Sequence, residues 1–340
     1  MGELVMARTF RKPAIGEFHQ VFTGVVADQQ IGYAGLMGLV GKKLTGCGTI
    51  TSDDANVTLS QKKWQPQDIF VRLEQCFKDL EQSFFVYSQH NGVDRPDLNG
   101  TDFANFIEDR LSDAVYEAIL RLAYFGNVDA ATVTDSPAGS LTDGTDADYF
   151  NPINGLWKQL FAIGTANADQ VVSIAKNSGT DYAAQAFDAN DVTGKTVTGI
   201  LESLKYEADY RLRDQPDLVM VATQSVVDQY AKELRNQNLD ASFVRIESGY
   251  DALMFENIPV IPMNFWDRMI YSYFDDGTTY LMPHRAILTT RTNLGIATDS
   301  TAALDDIDVW FDKRDKKTYF DVQFKLDAKV IDDDLLQLAY

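Results

Sequence analysis

Residues 320–330, FDVQFKLDAKV, decide the fold, because apolar and polar residues alternate through the whole stretch. A period of two places every second side chain on the same face, which is typical of a strand with one buried face and one face in water. A shorter alternating run, Ile307, Val309 and Phe311, comes just before it, and the charged residues 313–317 lie between the two. The sequence therefore predicts a long antiparallel pair of strands at this end of the chain.

The strongest helical pattern lies in residues 101–125. Its apolar side chains recur at intervals of three and four, which places them on one stripe of a helix. They are Phe103, Phe106, Ile107, Leu111, Ala114, Val115, Ala118, Ile119 and Leu122. Thr101 or Asp102 can cap the first turn, and Gly126 suits the left-handed position that follows a helix. At 1.5 Å per residue, the predicted helix is about 37 Å long.

Two short alternating runs in residues 49–80 predict a hairpin. Their apolar members are Val57 and Leu59 in the first run and Ile69, Val71 and Leu73 in the second. The segment between the runs is polar and contains a proline, as the tip of a hairpin does. Because two strands alone are marginally stable in water, we expect this hairpin to lie on a partner surface.

The tip of the predicted hairpin supplies candidate contact residues. Trp64 is its large aromatic residue, and we expect it to anchor an adjacent subunit. Pro66 stiffens the turn beside it. Lys62 and Lys63 would pair with the acidic surface of a neighbour, although exposed pairs contribute only about 0–1 kcal/mol each. An alternative stays open, in which Trp64 packs back on its own hairpin.

Residues 1–48 predict an extended arm. Glycine recurs at every third position from Gly32 to Gly41, a spacing that does not match the 3.6-residue period of a helix. Residues 1–63 carry seven basic and five acidic residues, whereas the whole chain has a net charge of −20. We expect the arm to become ordered only against a neighbouring subunit, since it has little core of its own. Its basic candidates for that contact are Arg8, Arg11 and Lys12.

The rest of the chain predicts surface loops followed by an α/β region. Residues 127–150 and 176–198 are polar and read as loops. From about residue 199 the pattern gives a helix, a buried strand at 218–222, a second helix and an extended segment at 257–262. Asp275-Asp276-Gly277 is a typical hairpin turn between the apolar runs 269–273 and 279–282. The predicted fold class is α+β.

Composition limits the function classes. The chain has 340 residues, enough for two domains, and its 45% apolar content supports a sizeable core. A net charge of −20 argues against a general nucleic-acid binder, which needs a basic face. Cys47 and Cys76 cannot form a disulfide framework, and no apolar stretch is long enough to span a membrane. We therefore expect a soluble protein that is made inside a cell.

Side chains that carry chemistry form no specific constellation. Asp143, Asp146 and Asp148 lie close together on a loop and could hold calcium, but the order of an EF-hand is missing, so a solvated acidic loop is favoured. His284 has no serine or cysteine elbow beside it in the sequence and is expected to be structural. The sequence therefore predicts no catalytic residues, no metal and no cofactor.

The order of these elements resembles the major capsid proteins of tailed bacteriophages, which have the Hong Kong 97-type fold. The residues that carry the resemblance are Tyr124 to Asn127, Asn151 to Leu156, Asp217 to Tyr230, Phe255 to Val260 and Leu294 to Ile296. The resemblance implies five regions. These are an N-terminal arm (1–48), an E-loop (49–80), a P-domain (81–198) with spine helix 101–125, an A-domain (199–305) and return strands to the P-domain (306–340).

The resemblance also implies a function. It implies a structural protein, not an enzyme, that assembles with itself into hexamers and pentamers of an icosahedral shell. The shell would enclose double-stranded DNA without binding it tightly, assemble in the host bacterial cytoplasm, and form the virion capsid with portal, scaffolding and decoration proteins and no membrane. Lys62 and Lys63 lie in the loop that is cross-linked in one branch of the family, but no acceptor can be assigned. Two alternatives stay open: an encapsulin-like compartment, and a soluble acidic hydrolase.

Overall fold

The computed structural model describes residues 19–34, 59–76, 102–130, 147–236, 243–245, 251–298, 308–315 and 317–340. The helices are α1 (Asp102–Phe125), α2 (Leu156–Ala166), α3 (Tyr182–Gln185), α4 (Ala189–Gly194), α5 (Thr196–Tyr206), α6 (Tyr210–Arg213), α7 (Gln224–Asn236) and α8 (Asn264–Tyr273). The strands are β1 (Gln20–Thr23), β2 (Gln30–Ala34), β3 (Leu59–Lys63), β4 (Gln67–Cys76), β5 (Val171–Val172), β6 (Leu218–Ala222), β7 (Phe243–Arg245), β8 (Asp251–Phe255), β9 (Ile258–Pro262), β10 (Ala286–Thr290), β11 (Leu294–Thr298), β12 (Asp308–Asp312), β13 (Lys317–Val330) and β14 (Leu336–Ala339).

Strand β13 forms the centre of the first sheet, which also contains β1, β4, β11 and β12. It pairs with β4 over residues 317–326, with β12 over residues 317–321 and with β11 over residues 326–330. Its even-numbered side chains from Thr318 to Val330 are buried, so the predicted alternating strand is confirmed. The long strand is stable because every second side chain is buried on the same face of the sheet and so leaves water.

Helix α1 confirms the predicted long helix, and its apolar side chains from Leu111 onward pack into the core of the first sheet. The last turn of α1 meets the start of α2 at two glycines, Gly126 and Gly155. The amide of Gly155 donates to the carbonyl of Gly126 at 2.8 Å, and a side chain at either position would collide with backbone of the other. Only residues without a Cβ allow the two helices to approach this closely.

The second sheet has the strand order β5-β14-β10-β6-β9-β8-β7. In β6, Val219 and Val221 face the core that contains α1, α2 and α8, whereas Met220 and Ala222 face the core that contains α5 and α7. Both faces of this strand are therefore buried, which explains why its sequence is a continuous apolar run.

One prediction for this region is corrected, and another stays a prediction. Strands β5 and β14, which lie outside residues 199–305, belong to the second sheet, where β14 pairs with β10 and β5. The bounds predicted for the A-domain and for the return strands stay predictions. Residues 269–273 belong to α8 and are not a strand of a hairpin. The helix is favoured because Phe265, Trp266, Met269 and Ile270 recur at helical spacing and are all buried.

The predicted hairpin of residues 49–80 is also corrected. Strands β3 and β4 both exist, but β3 pairs antiparallel with β2, and β4 pairs with β13. The β2–β3 pair, here called the ribbon, forms a two-stranded sheet of its own among the described residues. Alternation identifies a strand and its buried face, but it does not select the partner.

The described part of the predicted arm is likewise held by its own chain. Strand β1 pairs parallel with β11, and His19 accepts or donates a 2.6 Å hydrogen bond with the buried hydroxyl of Tyr124 in α1. Residues 19–34 therefore do not need a neighbouring subunit for these contacts. Arg8, Arg11 and Lys12 lie outside the described residues, as do Asp143 and Asp146.

Arg285, just before β10, extends its side chain into the core that contains α1, α2 and α8. Its side chain is fully buried, and its guanidinium lies over the rings of Trp157, Phe161 and Phe125 at 4.9, 5.2 and 5.7 Å. The guanidinium also donates to two backbone carbonyls in residues 281–282. Burial lowers the pKa of Arg285 to about 9. Because the cation is stabilised by ring faces and carbonyl oxygens, it ties β10 to α1 and α2.

Candidate functional site

The ribbon is attached to the body of the molecule by a small set of residues, here called the ribbon root: Lys62, Trp64, Gln65 and the groups that they contact. Trp64 is the apolar part of the root and is only 1% exposed. It packs with Val25 and Ala297 and lies over Gly295, where a Cβ would approach the indole to 3.1 Å. The ring of Phe22 lies 5.3 Å from the indole, centroid to centroid.

Two polar contacts complete the ribbon root. The Lys62 ammonium donates to the carbonyl of Val330 at 2.7 Å and to a carboxylate oxygen of Asp333 at 2.6 Å. The backbone amide of Gln65 donates to Asp327 at 2.7 Å. Burial raises the pKa of Asp327, while the hydrogen bond that it accepts from the amide of Gln65 acts to lower that pKa. The root therefore holds the ribbon at three places, on β11, on β13 and on the turn after β13.

This geometry changes the interpretation of the predicted contact residues. Trp64 is buried in its own chain, and its prediction as an intersubunit anchor stays a prediction. It packs on β1 and β11, which differs from the alternative in which it packs on its own hairpin. The ammonium of Lys62 is also used within the chain. Lys63, whose side chain is 55% exposed, and Pro66, which is half-buried, remain available to a partner.

A second candidate surface lies on the outward face of the first sheet and is here called the outer patch: Phe70, Arg72, Trp310 and Tyr319. Trp310 and Tyr319 are stacked at 5.5 Å, and the Arg72 guanidinium lies 4.9 Å from the ring of Phe70 and 5.6 Å from that of Trp310. A bidentate pair with Asp321, at 2.6 and 2.8 Å, fixes the guanidinium in place. Phe70 is 54% exposed and Trp310 is 38% exposed.

The outer patch has the composition of a protein-binding surface, because aromatic residues and arginine dominate the centres of interfaces. The patch was not predicted from the sequence, because the alternating pattern assigns one face of these strands to water whichever side chains stand on it. Aromatic residues at the water-facing positions of β4, β12 and β13 are the signal that could have identified the patch.

Ser225 and His284 form the arrangement most similar to a hydrolase site among the described residues. The Ser225 hydroxyl and Nδ1 of His284 are 2.7 Å apart, and Nε2 lies 2.7 Å from the carbonyl oxygen of Gln185. Burial lowers the pKa of His284, which weakens it as a base. Because both ring nitrogens bind groups of the fold, the histidine joins α7 to the last residue of α3, which fits the structural role predicted for it.

The structure also bears on metals and membranes within the described residues. Asp148 is exposed in a short 3₁₀ turn, and no group of three or more candidate ligands there could hold a metal ion. In the same part of the chain, no helix combines the length and the apolar character needed to cross a membrane.

Comparisons with known proteins give a match in structure alone. No family model matches the chain, and no curated protein sequence matches it. A chain of the satellite phage P4 procapsid that includes the size determination (Sid) protein is similar with a TM-score of 0.50 and 12% identity, over 95% of this chain and 92% of that chain. The capsid of the empty GTA particle is similar with a TM-score of 0.50 and 11% identity, over 100% and 93%. The chain has the fold of phage capsid proteins.

A further similar structure is the holo-SrpI encapsulin complex from Synechococcus elongatus, with a TM-score of 0.49 and 9% identity.

Within the capsid fold of this chain, the two candidate surfaces lie at opposite ends of β13. The outer patch is built on residues 317–323 and their partners, whereas the ribbon root contacts residues 327–333. Strand β13 therefore positions both surfaces.

Proposed function

We propose that the chain is a major capsid protein of a tailed phage, with the Hong Kong 97-type variant of the fold. Its copies assemble into the hexamers and pentamers of an icosahedral shell that encloses double-stranded DNA. The observation that carries this proposal is the similarity to the procapsid and capsid chains, which extends over at least 95% of this chain. A structural role is also consistent with the use of His284 and Ser225 inside the fold.

In this proposal the parts of the molecule take the following roles. We propose that the ribbon forms the base of the E-loop, which in this proposal spans residues 30–63 and not 49–80. The first sheet and α1 form the P-domain, and the second sheet forms the A-domain. Neighbouring subunits are contacted by the E-loop, by Lys63 and Pro66, by the outer patch, and by an N-terminal arm with Arg8, Arg11 and Lys12.

The charge of the chain supports a shell that holds DNA loosely. A net charge of −20 repels phosphates, so packaged DNA would not adhere to the inner wall. We therefore expect no salt-dependent DNA affinity tighter than about 10 μM, which is within the range of ordinary nonspecific binding. Portal, scaffolding and decoration proteins are the further partners, and assembly takes place in the cytoplasm of a bacterial host.

Expression of the chain in bacteria tests the proposal. Lysates and purified fractions are examined by negative-stain electron microscopy and by light scattering after gel filtration. Closed particles, or ring-shaped capsomers, are expected from the chain alone or with a scaffolding protein of the same phage. A protein that stays monomeric in every condition would contradict the proposal. Closed particles that retain a host enzyme, and take up no DNA when the packaging proteins are present, would favour an encapsulin-like compartment.

A further inference from the structure

The turn between β13 and β14, residues 332–334, is the junction of the two sheets. Asn293, in the connection from β10 to β11, accepts from the amide of Asp332 at 2.7 Å and donates to the carbonyls of Asp332 and Leu335 at 3.0 Å. Two of the connections that pass between the sheets, from β10 to β11 and from β13 to β14, are therefore fastened to each other by one side chain. A rigid element of this kind can transmit the position of one sheet to the other.

The same turn is held from the side of the second sheet. Arg211 in α6 donates to Asp334 at 2.8 Å, and Gln170, just before β5, donates to the carbonyl of Asp333 at 2.8 Å. Arg211 is itself fixed by a bidentate pair with Asp209. These contacts leave the carboxylate of Asp333 directed to another element.

That element is the ribbon. Lys62 in β3 reaches Asp333 at 2.6 Å and the carbonyl of Val330 at 2.7 Å, and the two charged side chains are 24% and 38% exposed. A pair with this degree of burial, in which the ammonium also binds a carbonyl, is stronger than an exposed ion pair. The neighbouring Lys63 differs, because it lies 3.9 Å from Asp28 and both side chains are mostly exposed.

We propose that Lys62 is a positioning residue, which sets the orientation of the ribbon relative to the second sheet by binding the turn at residues 332–334. This inference rests on the proposed function, because the ribbon is the base of the loop that contacts neighbouring subunits. Trp64 supplies an apolar pivot on β11, and the Lys62–Asp333 pair fixes the angle about that pivot. Without the pair, the ribbon stays folded and attached but samples a wider range of angles.

The test measures that angle directly. In a full-length chain with Cys47→Ser and Cys76→Ser, spin labels are placed on the exposed positions Gln61→Cys in β3 and Lys232→Cys in α7. The distribution of distances between them is measured by pulsed electron paramagnetic resonance on unassembled subunits. Lys62→Met should broaden the distribution by about twofold or more, while circular dichroism and the melting temperature of the body stay close to wild type. Lys63→Met is the matched control and should leave the distribution unchanged.

Further variants separate positioning from simple stability. Asp333→Asn should broaden the distribution as Lys62→Met does, and the exchange Lys62→Asp with Asp333→Lys should narrow it again. An equally narrow distribution in Lys62→Met and wild type would overturn the proposal, as would equal broadening by Lys63→Met. The assembly assay is a separate arm, in which Lys62→Met particles should vary in diameter more than wild-type particles. If wild type stays monomeric in every condition, the proposed function fails, whereas the distance measurement still decides the role of Lys62.

Discussion

The contact between Gly126 and Gly155 gives the sharpest stability prediction, which is tested by Gly155→Ala. A Cβ at Gly155 would lie 2.6 Å from the amide nitrogen of Gly126 and 2.7 Å from the backbone of Tyr124, where ordinary contacts are at least 3.4 Å. All of these atoms belong to the backbone, so no side chain can rotate away. The end of α1 and the start of α2 must therefore separate by about 0.7 Å.

The cost follows from what that separation disturbs. It stretches the 2.8 Å hydrogen bond from Gly155 to Gly126 and the 2.7 Å bond from Asn127 to the carbonyl of Phe150, each worth about 1 kcal/mol. It also loosens the packing of the buried Trp157, for which overpacking data suggest about 1–3 kcal/mol. The free energy of unfolding should fall by about 3–5 kcal/mol, which at about 2.1 cal/mol/K per residue lowers the melting temperature of the 340-residue chain by about 4–7 °C.

Gly199→Ala is the matched control, because the same atom is added on the exposed side of α5, where nothing lies within 4 Å. Alanine favours the helix there by about 0.5–1 kcal/mol, so this variant should melt slightly above wild type. Thermal unfolding of unassembled subunits is followed by circular dichroism at one protein concentration. A Gly155→Ala variant that melts within about 2 °C of wild type would refute the reasoning, as would an equal loss in Gly199→Ala.

Three further predictions concern single buried side chains. Trp64→Ala should cost about 3–5 kcal/mol locally, so limited proteolysis should cut the ribbon root faster while the melting of the body is unchanged, and an unchanged cleavage rate would contradict this. Asp267 accepts a hydrogen bond from the amide of Gln224 at 2.7 Å, and burial raises its pKa to about 6. Its contribution to the free energy of unfolding is therefore fully present below about pH 4 and is lost as the pH rises through 6. Asp267→Asn keeps the acceptor and should therefore match wild type at pH 4 but exceed it by about 3 kcal/mol at pH 8 in urea unfolding, and a difference that does not change with pH would contradict this. Glu233→Ala removes the acceptor of the amides of residues 197–198, at 2.9 and 2.8 Å, and should lower the free energy of unfolding by about 2–4 kcal/mol in the same assay, whereas a loss below about 0.5 kcal/mol would show that water replaces the carboxylate.

Periodicity predicted the elements that are long and one-sided. Strand β13 and helix α1 have uninterrupted patterns of period two and 3.6, and both were found with nearly the predicted bounds. The run at residues 269–273 was too short for its period to be decided alone, and only the residues before it, from Asn264, identify the helix. Local pattern therefore predicts an element well where it extends over several turns or pleats.

Pairing and burial depended on residues that are distant along the chain. The sequence places Trp64 beside polar residues, and nothing near it shows that Gly295 and Ala297 provide a surface for the indole. The same holds for Lys62, whose acceptor Asp333 lies in a different part of the sequence. The outer patch was missed for a related reason, since Phe70 and Trp310 become neighbours only when both strands lie beside β13.

The ribbon is longer than the distance between the two residues that attach it, so a small rotation at the ribbon root moves its far end over a larger distance. A five-residue strand is about 17 Å long, whereas Lys62, in β3, and Trp64, just after it, are about 7 Å apart along an extended chain. Hydrogen bonds of 2.6 and 2.7 Å tolerate changes of only about 0.3 Å, which limits rotation at the root to about 2–3°. The far end of the ribbon then moves by less than about 1 Å, whereas a rotation of 10° would carry it about 3 Å. In the proposed shell, a small change in the length of one hydrogen bond would change the angle of the ribbon in every copy, and the repeated change would alter the local curvature of the wall.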